Sequence, residues 1–278
     1  MLGQYKDLVK DMTFSHSRLT CFEQCPYQFY LSYILRDFEL YPRSDNFYGQ
    51  LGGYVHEILE MIFKGELDIE DASQYYVDHY KEKVVAKEKK NIVQNAYEAC
   101  ADYLCSVDFD WLNDYEILGV EQEVKFEISG RKFIGYIDLL LRDKRDGKIV
   151  VLDHKSSKYP LKQNGEVLKS SEHTFDKYKK QLYLYSYWVN LTYGEFPKEL
   201  VWNFFKAQKF VTIPFKVDEY DESIKWMLDT IDDIEAEDDF DAHVDDFFCR
   251  NLCSFKDSCE TSMILKAKAK NAWKYKEK

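Results

Sequence analysis

Two apolar runs with strand character lie close together in the middle of the chain, at 133–141 and 149–152, with a turn-forming Asp146–Gly147 between them. A carboxylate interrupts one run and ends the other. Asp138 stands among Ile134, Tyr136, Ile137, Leu139, Leu140 and Leu141, so both faces of that strand read as apolar and the charge requires a partner. Asp153 follows Ile149, Val150, Val151 and Leu152, and the two-residue period of a strand turns Asp153 and Lys155 toward one face. The hairpin thus predicts two carboxylates and an ammonium converging at one end of a sheet. Such a set suits a hard divalent cation, Mg²⁺ or Mn²⁺, with positions left for water and a phosphate.

The same patterning places the other elements. Leu19, Phe22, Phe29 and Tyr30 recur at roughly helical spacing over 15–35, behind N-capping serines and with a bend or restart at Pro26. A second helix, 50–64, carries the stripe Val55, Ile58, Leu59 and Ile62 and sets His56 and Glu60 on another face at i, i+4. Helical character continues over 69–90 and 91–111, where Cys100 and Cys105 read as core residues. Residues 116–128 alternate as a strand, and Ser129–Gly130 turns it into the strand bearing Asp138. Glu121 and Glu123 share one face of that strand and read as solvent-facing, with reach to the metal cluster as the other option. A lysine-rich loop leads to a helix over 175–193, on which Gln181 and Tyr185 are i, i+4 neighbours able to project together toward the Asp138 and Asp153 edge. Strands over 199–207 and 209–216 and an acidic helix over 218–237 follow.

Composition refines this picture in three places. The 278 residues, 45% hydrophobic and 17% aromatic, suffice for one large domain or two small ones. With no eighteen-residue apolar window and no cleavable leader in the opening residues, cytoplasmic residence without membrane association is expected. The formal charge of -12 is local: fourteen acidic residues lie between 218 and 246 against the single Lys225, while 81–90, 158–180 and 266–278 are basic. A solvated helix face is the simplest reading of the acidic run, with a partner-docking surface as the other option. Seven cysteines, three of them crowded near the C-terminal end, point to metal binding rather than a disulfide framework. Cys249, Cys253 and Cys259 require a soft metal and a fourth ligand, for which Cys25 leads and Cys21, one turn earlier, is the substitute. Their spacing admits zinc as well as iron–sulfur.

Together, SRLTCFEQCPYQFYL at 17–31, GGYVHEILE at 52–60, GYIDLLL at 135–141, DHK at 153–155, QLYLY at 181–185 and the cysteine triplet resemble the PD-(D/E)XK nuclease superfamily. The likeness is to its RecB-like branch with an iron–sulfur cluster, which includes AddB nuclease domains and CRISPR-associated adaptation exonucleases. The resemblance implies a restriction-endonuclease-like α/β fold: a mixed central sheet flanked by helices, in a single nuclease domain over 1–278. It further implies a helical insertion at 65–112 and a cysteine cluster segment with a basic tail at 247–278. It implies a Mg²⁺- or Mn²⁺-dependent DNA nuclease, an exonuclease on single strands or duplex ends, in recombination, repair or CRISPR-type processing beside a helicase, recombination or CRISPR partner. His56, Asp138, Asp153 and the carbonyl of His154 would ligate the metal, Lys155 would act on the attacking water, and Gln181 and Tyr185 would position DNA. Cys25, Cys249, Cys253 and Cys259 would hold a structural 4Fe–4S cluster, with zinc the lesser alternative. A non-catalytic iron–sulfur DNA-binding subunit of a helicase or recombination complex is the competing reading, and the complete Asp138, Asp153 and Lys155 set favours the enzyme.

Overall fold

The computed structural model of the chain describes residues 4–274, so the last residues of the basic tail, 275–278, lie outside the described residues. Its elements are α1 (Gln4–Lys10), β1 (Thr13–Phe14), α2 (His16–Gln24), α3 (Pro26–Phe29), α4 (Phe47–Phe63), α5 (Ala72–Lys83), α6 (Lys90–Ser106), β2 (Tyr115–Ile128), β3 (Arg131–Asp143), β4 (Ile149–Lys155), α7 (Glu172–Tyr193), β5 (Glu199–Phe204), β6 (Lys209–Pro214), α8 (Val217–Ala236) and α9 (Glu260–Lys274). They form two compact units, one of residues 47–225 and one of the residues up to 46 with those from 226 onward.

In the unit 47–225 the sheet runs β2-β3-β4-β5-β6, with β4 and β5 parallel and the other neighbours antiparallel. The chain is a mixed α/β protein of restriction-endonuclease-like fold. The turn between β2 and β3 has Ser129 at φ 51° and Gly130 at φ 75°, the doubly left-handed geometry that matches strand twist in a two-residue hairpin. It pins Ile128 opposite Arg131. Between β3 and β4 the chain turns on a charge cluster: buried Asp143 accepts from Arg145 Nη2 at 2.6 Å and also pairs with Lys198. Those two cations hold its carboxyl well below the usual carboxylate range. β4 lies between two neighbours and is buried from Ile149 through His154, as a central strand with both faces covered must be. The parallel connection from β4 to β5 is made through α7, which Gly194 closes at φ 73°.

Helices α4, α5 and α6 share one buried cluster in which Val55, Ile58 and Leu59 meet Tyr76, Cys100, Tyr103 and Leu104. The helix expected over 69–90 is shorter: α5 stops at Lys83. Gln50 Oε1 accepts from the N–H groups of Val85 and Ala86 at 3.0 and 2.8 Å, offering that backbone an alternative to helical bonding, and Val84 and Ala86 enter the core. Cys105 is exposed, not a core residue. Five residues carry a helix roughly 140° past a whole turn, so one face of α6 cannot hold both Cys100 and Cys105.

In the other unit Ser15 caps α2, accepting from Arg18 N–H. The helix then breaks as the sequence predicts. Cys25, ahead of Pro26, is forced into extended backbone at φ -165°, and Pro26 opens α3 at its first position. Phe22, Phe29 and Phe240 pack edge-on and stacked, and Ser44 ties the first segment to the last through Ser254 O at 2.7 Å and Asp257 Oδ2 at 2.7 Å. On α8, Met227, Ile231 and Ile234 are buried while Asp229, Asp232 and Asp233 are exposed, the solvated acidic face expected. No helix among the described residues is long and apolar enough to cross a membrane.

Candidate active site

The site forms where strands part. Pairing of β3 with β4 reaches Leu139 opposite Leu152, and Asp138 and Asp153 stand one step beyond. There the Asp138 side chain takes over as acceptor: the N–H of His154 donates to its Oδ2 at 2.6 Å. This is the partner that a carboxylate in an apolar strand required. From α4, His56 Nδ1 comes within 3.4 Å of the same oxygen. Burial, and then the charge of Asp153, push the Asp138 carboxyl up, while burial pushes the His56 imidazole down. Two carboxylates crowded out of water stand ready for a cation.

Asp153 and Lys155 do share a face. Lys155 Nζ lies 2.6 Å from Asp153 Oδ2 and donates to Gln181 Oε1 at 2.9 Å. Burial alone would lower the ammonium's pKa; the opposing Asp153 outweighs it and holds it above the ordinary lysine value, so the group is charged. Gln181 Nε2 in turn donates to the Tyr185 hydroxyl at 3.1 Å, so Asp153, Lys155, Gln181 and Tyr185 form one connected chain of polar contacts. The glycine of GYIDLLL now has a reason: a methyl group on Gly135 would sit 2.4 Å from Tyr185 Cε1. Gly52, in the GGYVHEILE segment, leaves the same kind of space for Ser156 Oγ, 2.7 Å from where its Cβ would be.

Three contributors, Tyr178, Asn203 and Tyr103, were not anticipated, and one of the two glutamates weighed for the cluster enters it. Tyr178 places its ring 4.4 Å beneath the Lys155 ammonium, one helical turn ahead of Gln181 on α7. Asn203 and Tyr103 support the buried His154 ring: Asn203 Nδ2 lies 3.1 Å from His154 Nδ1 and donates to the Tyr103 hydroxyl at 2.8 Å. Stacked on Phe63 and held by burial well below the usual histidine pKa, that ring is a neutral floor to the site. Finally, Glu121 joins the cluster while Glu123 is exposed beside Lys125 at 2.7 Å. Among the described residues the group His56, Glu121 and Asp138 has one ligand atom from each within 4.8 Å of the others.

The five cysteines weighed as cluster ligands lie in the other unit. Cys25, Cys249, Cys253 and Cys259 are all buried, and Cys21 is half-buried. Their sulfurs do not gather within 4.8 Å as the His56 group does, so they are not drawn around a single-ion position. Burial pushes the Cys253 thiol up to about 11, and Cys25, Cys259 and Cys249 add to the shift. Cys253 and Cys259 pack with Leu31 and Phe255, and the N–H of Phe255 donates to Cys253 Sγ at 3.4 Å.

The sequence profile of the PD-(D/E)XK nuclease superfamily matches residues 13–260, and the chain belongs to that superfamily. Among solved structures it is similar to a "Putative exonuclease" from Eubacterium rectale, at 14% identity over 83% of this chain and 84% of that one, with a TM-score of 0.49. It is also similar to SSO0001, at 16% identity over 94% of this chain and 98% of that one, with a TM-score of 0.40. Among curated proteins, none matches.

Proposed function

We propose that the chain is a metal-dependent deoxyribonuclease of the RecB-like branch, an exonuclease acting on single strands or duplex ends. Its setting would be recombination, repair or CRISPR-type processing, beside a helicase, recombination or CRISPR partner. The observation that carries this reading is the charged Lys155, fixed by Asp153, Gln181 and Tyr178 at the edge of an acidic pocket that has a histidine in it. His56, Asp138 and Asp153, with the His154 carbonyl, would hold Mg²⁺ or Mn²⁺; the Asp138 carboxylate, buried beside Asp153 and pushed up by both, fits such an ion. When bound, the ion supplies charge to neutralise a phosphate oxygen and to acidify a water. Lys155 directs the attacking water and stabilises the negative charge that accumulates on the phosphate. Gln181, backed by the buried Tyr185, keeps the ammonium aimed, and the pair would help position the DNA. Incubation of end-labelled single- and double-stranded DNA with Mg²⁺, with Mn²⁺ and with EDTA tests this. Ladders or mononucleotides formed only with metal are expected, and DNA bound but left whole under both metals would put the non-catalytic subunit in place of the nuclease.

Cys25, Cys249, Cys253 and Cys259 are proposed to hold a 4Fe–4S cluster. What supports it is four buried thiols drawn from both ends of the chain. A cubane gives each thiolate its own iron, and so tolerates wider sulfurs than tetrahedral zinc does. Anaerobically purified protein is expected to contain iron and acid-labile sulfide near four per chain, both lost in Cys253→Ser; zinc without sulfide would replace this assignment.

A further inference from the structure

Around the sheet, Lys148, Lys155, Lys198 and Lys216 each meet a carboxylate. Lys206 and Lys209, where β5 turns into β6, have no carboxylate partner among the described residues. Each lies instead over a tyrosine: Lys206 Nζ is 5.7 Å from the centre of the Tyr48 ring, and Lys209 Nζ is 5.1 Å from that of Tyr159. Lys206 is half-buried, and that burial pushes its ammonium below the ordinary lysine value. In a chain with a formal charge of -12, two cations that the fold leaves without a counter-charge call for an anion from outside.

Both pairs border the site. Tyr48, Gly52 and His56 recur every four residues and so share one stripe of α4, with Tyr48 about 12 Å along the axis from His56. Between them Gly52 leaves room for Ser156, the residue after Lys155. Phe205, next to Lys206, sets its ring 6.1 Å from that of His56. Tyr159 packs edge-on against Phe204 at 5.6 Å, and Phe204 is the register partner of Lys155. One pair therefore stands on the histidine side and the other on the ammonium side. The Tyr48 ring is 46% exposed although its neighbour Phe47 is buried. An open aromatic ring beside an unneutralised ammonium matches one nucleotide, base on ring and phosphate on cation.

We propose that Tyr48 with Lys206, and Tyr159 with Lys209, are two nucleotide-holding subsites flanking the scissile position, each stacking an unpaired base and taking a phosphate. This rests on the nuclease reading above and selects the single strand from it, because a base stacked within a duplex has no free face. The lysines can leave their rings for phosphates without breaking an ion pair.

The test is binding of labelled single-stranded oligothymidylate to the full chain by fluorescence anisotropy, in EDTA and at several salt concentrations, with metal-dependent cleavage of the same strand followed in parallel. Tyr48→Ala and Tyr159→Ala are each expected to weaken binding about tenfold, and Tyr48→Phe to stay within about twofold of wild type. Lys206→Gln and Lys209→Gln should each flatten the slope of log affinity against log salt by about 0.7. Lys144→Gln, between β3 and β4 and so at the other end of β4, should leave that slope unchanged. On an abasic strand, which keeps the phosphates and lacks the bases, wild type and Tyr48→Ala should bind alike; equal losses on both strands would overturn the stacking role. Tyrosine and lysine variants that all bind like wild type, while wild type cleaves with metal, would overturn the subsites and leave the nuclease standing. Tyrosine-dependent binding of a strand that wild type never cleaves would uphold the subsites and remove the nuclease.

Discussion

Lys155→Ala is expected to lower single-turnover cleavage of end-labelled DNA by about 10²–10³-fold while leaving DNA affinity nearly unchanged, since loss of one preorganised donor to developing charge costs that much. The size follows from how the ammonium is held. Asp153 at 2.6 Å, Gln181 at 2.9 Å and the Tyr178 ring at 4.4 Å fix it from three sides, so it is aimed before substrate arrives. Alanine also strands Asp153 beside Asp138, and losing one partner of a buried ion pair lowers stability by about 3–5 kcal/mol. Lys155→Met, which keeps the stem over the Tyr178 ring, separates the two effects: its melting temperature should fall less than that of the alanine variant and its cleavage rate should fall equally. Cleavage by either variant within threefold of wild type would remove Lys155 from the chemistry.

The second large effect concerns stability rather than rate. Adding Mn²⁺ to wild type at about 100 times its dissociation constant should stabilise the fold by about 2.7 kcal/mol. In a chain of this size that raises the melting temperature by roughly 5–10 °C. Asp138→Asn should abolish the increment. Without metal, the same variant should melt no lower than wild type, because asparagine retains an acceptor for the His154 N–H and removes a charge that burial and Asp153 both oppose. Calorimetric scans with and without Mn²⁺ read both quantities. A variant that is less stable without metal and still gains the full increment would show Asp138 to be structural.

Much of this was legible because it depends on short-range geometry. The two-residue period alone sets Asp153 beside Lys155, the helical period sets Gln181 beside Tyr185, and Pro26 announces the break at Cys25. Tyr178 was missed although it lies on the same stripe of α7 as Gln181, since an aromatic at helical spacing reads as core until a cation is found over it. Glu121 was within reach by counting back from the Ser129–Gly130 turn to the residue opposite Asp138, but simple alternation gave Glu121 and Glu123 the same outlook, and only a left-handed residue separates them. The early end of α5 depends on Gln50, more than thirty residues away in sequence, and no local pattern carries that. The cysteine spacing named the ligand candidates without fixing how far apart they sit.

Beyond Leu152, β4 loses its pairing to β3 but keeps β5, with Asp153, His154 and Lys155 matched to Trp202, Asn203 and Phe204. His56, by contrast, rides on a helix, and Glu121, like Leu118, stands at a skipped position of the β2–β3 ladder. One wall of the pocket is thus a strand that stays paired on one side, and the other combines a packed helix with a strand kink. In the proposed nuclease β4 would thus carry both a ligand of the ion, Asp153, and the ammonium that addresses the phosphate, so that one strand would set the position of the metal and the aim of Lys155 together.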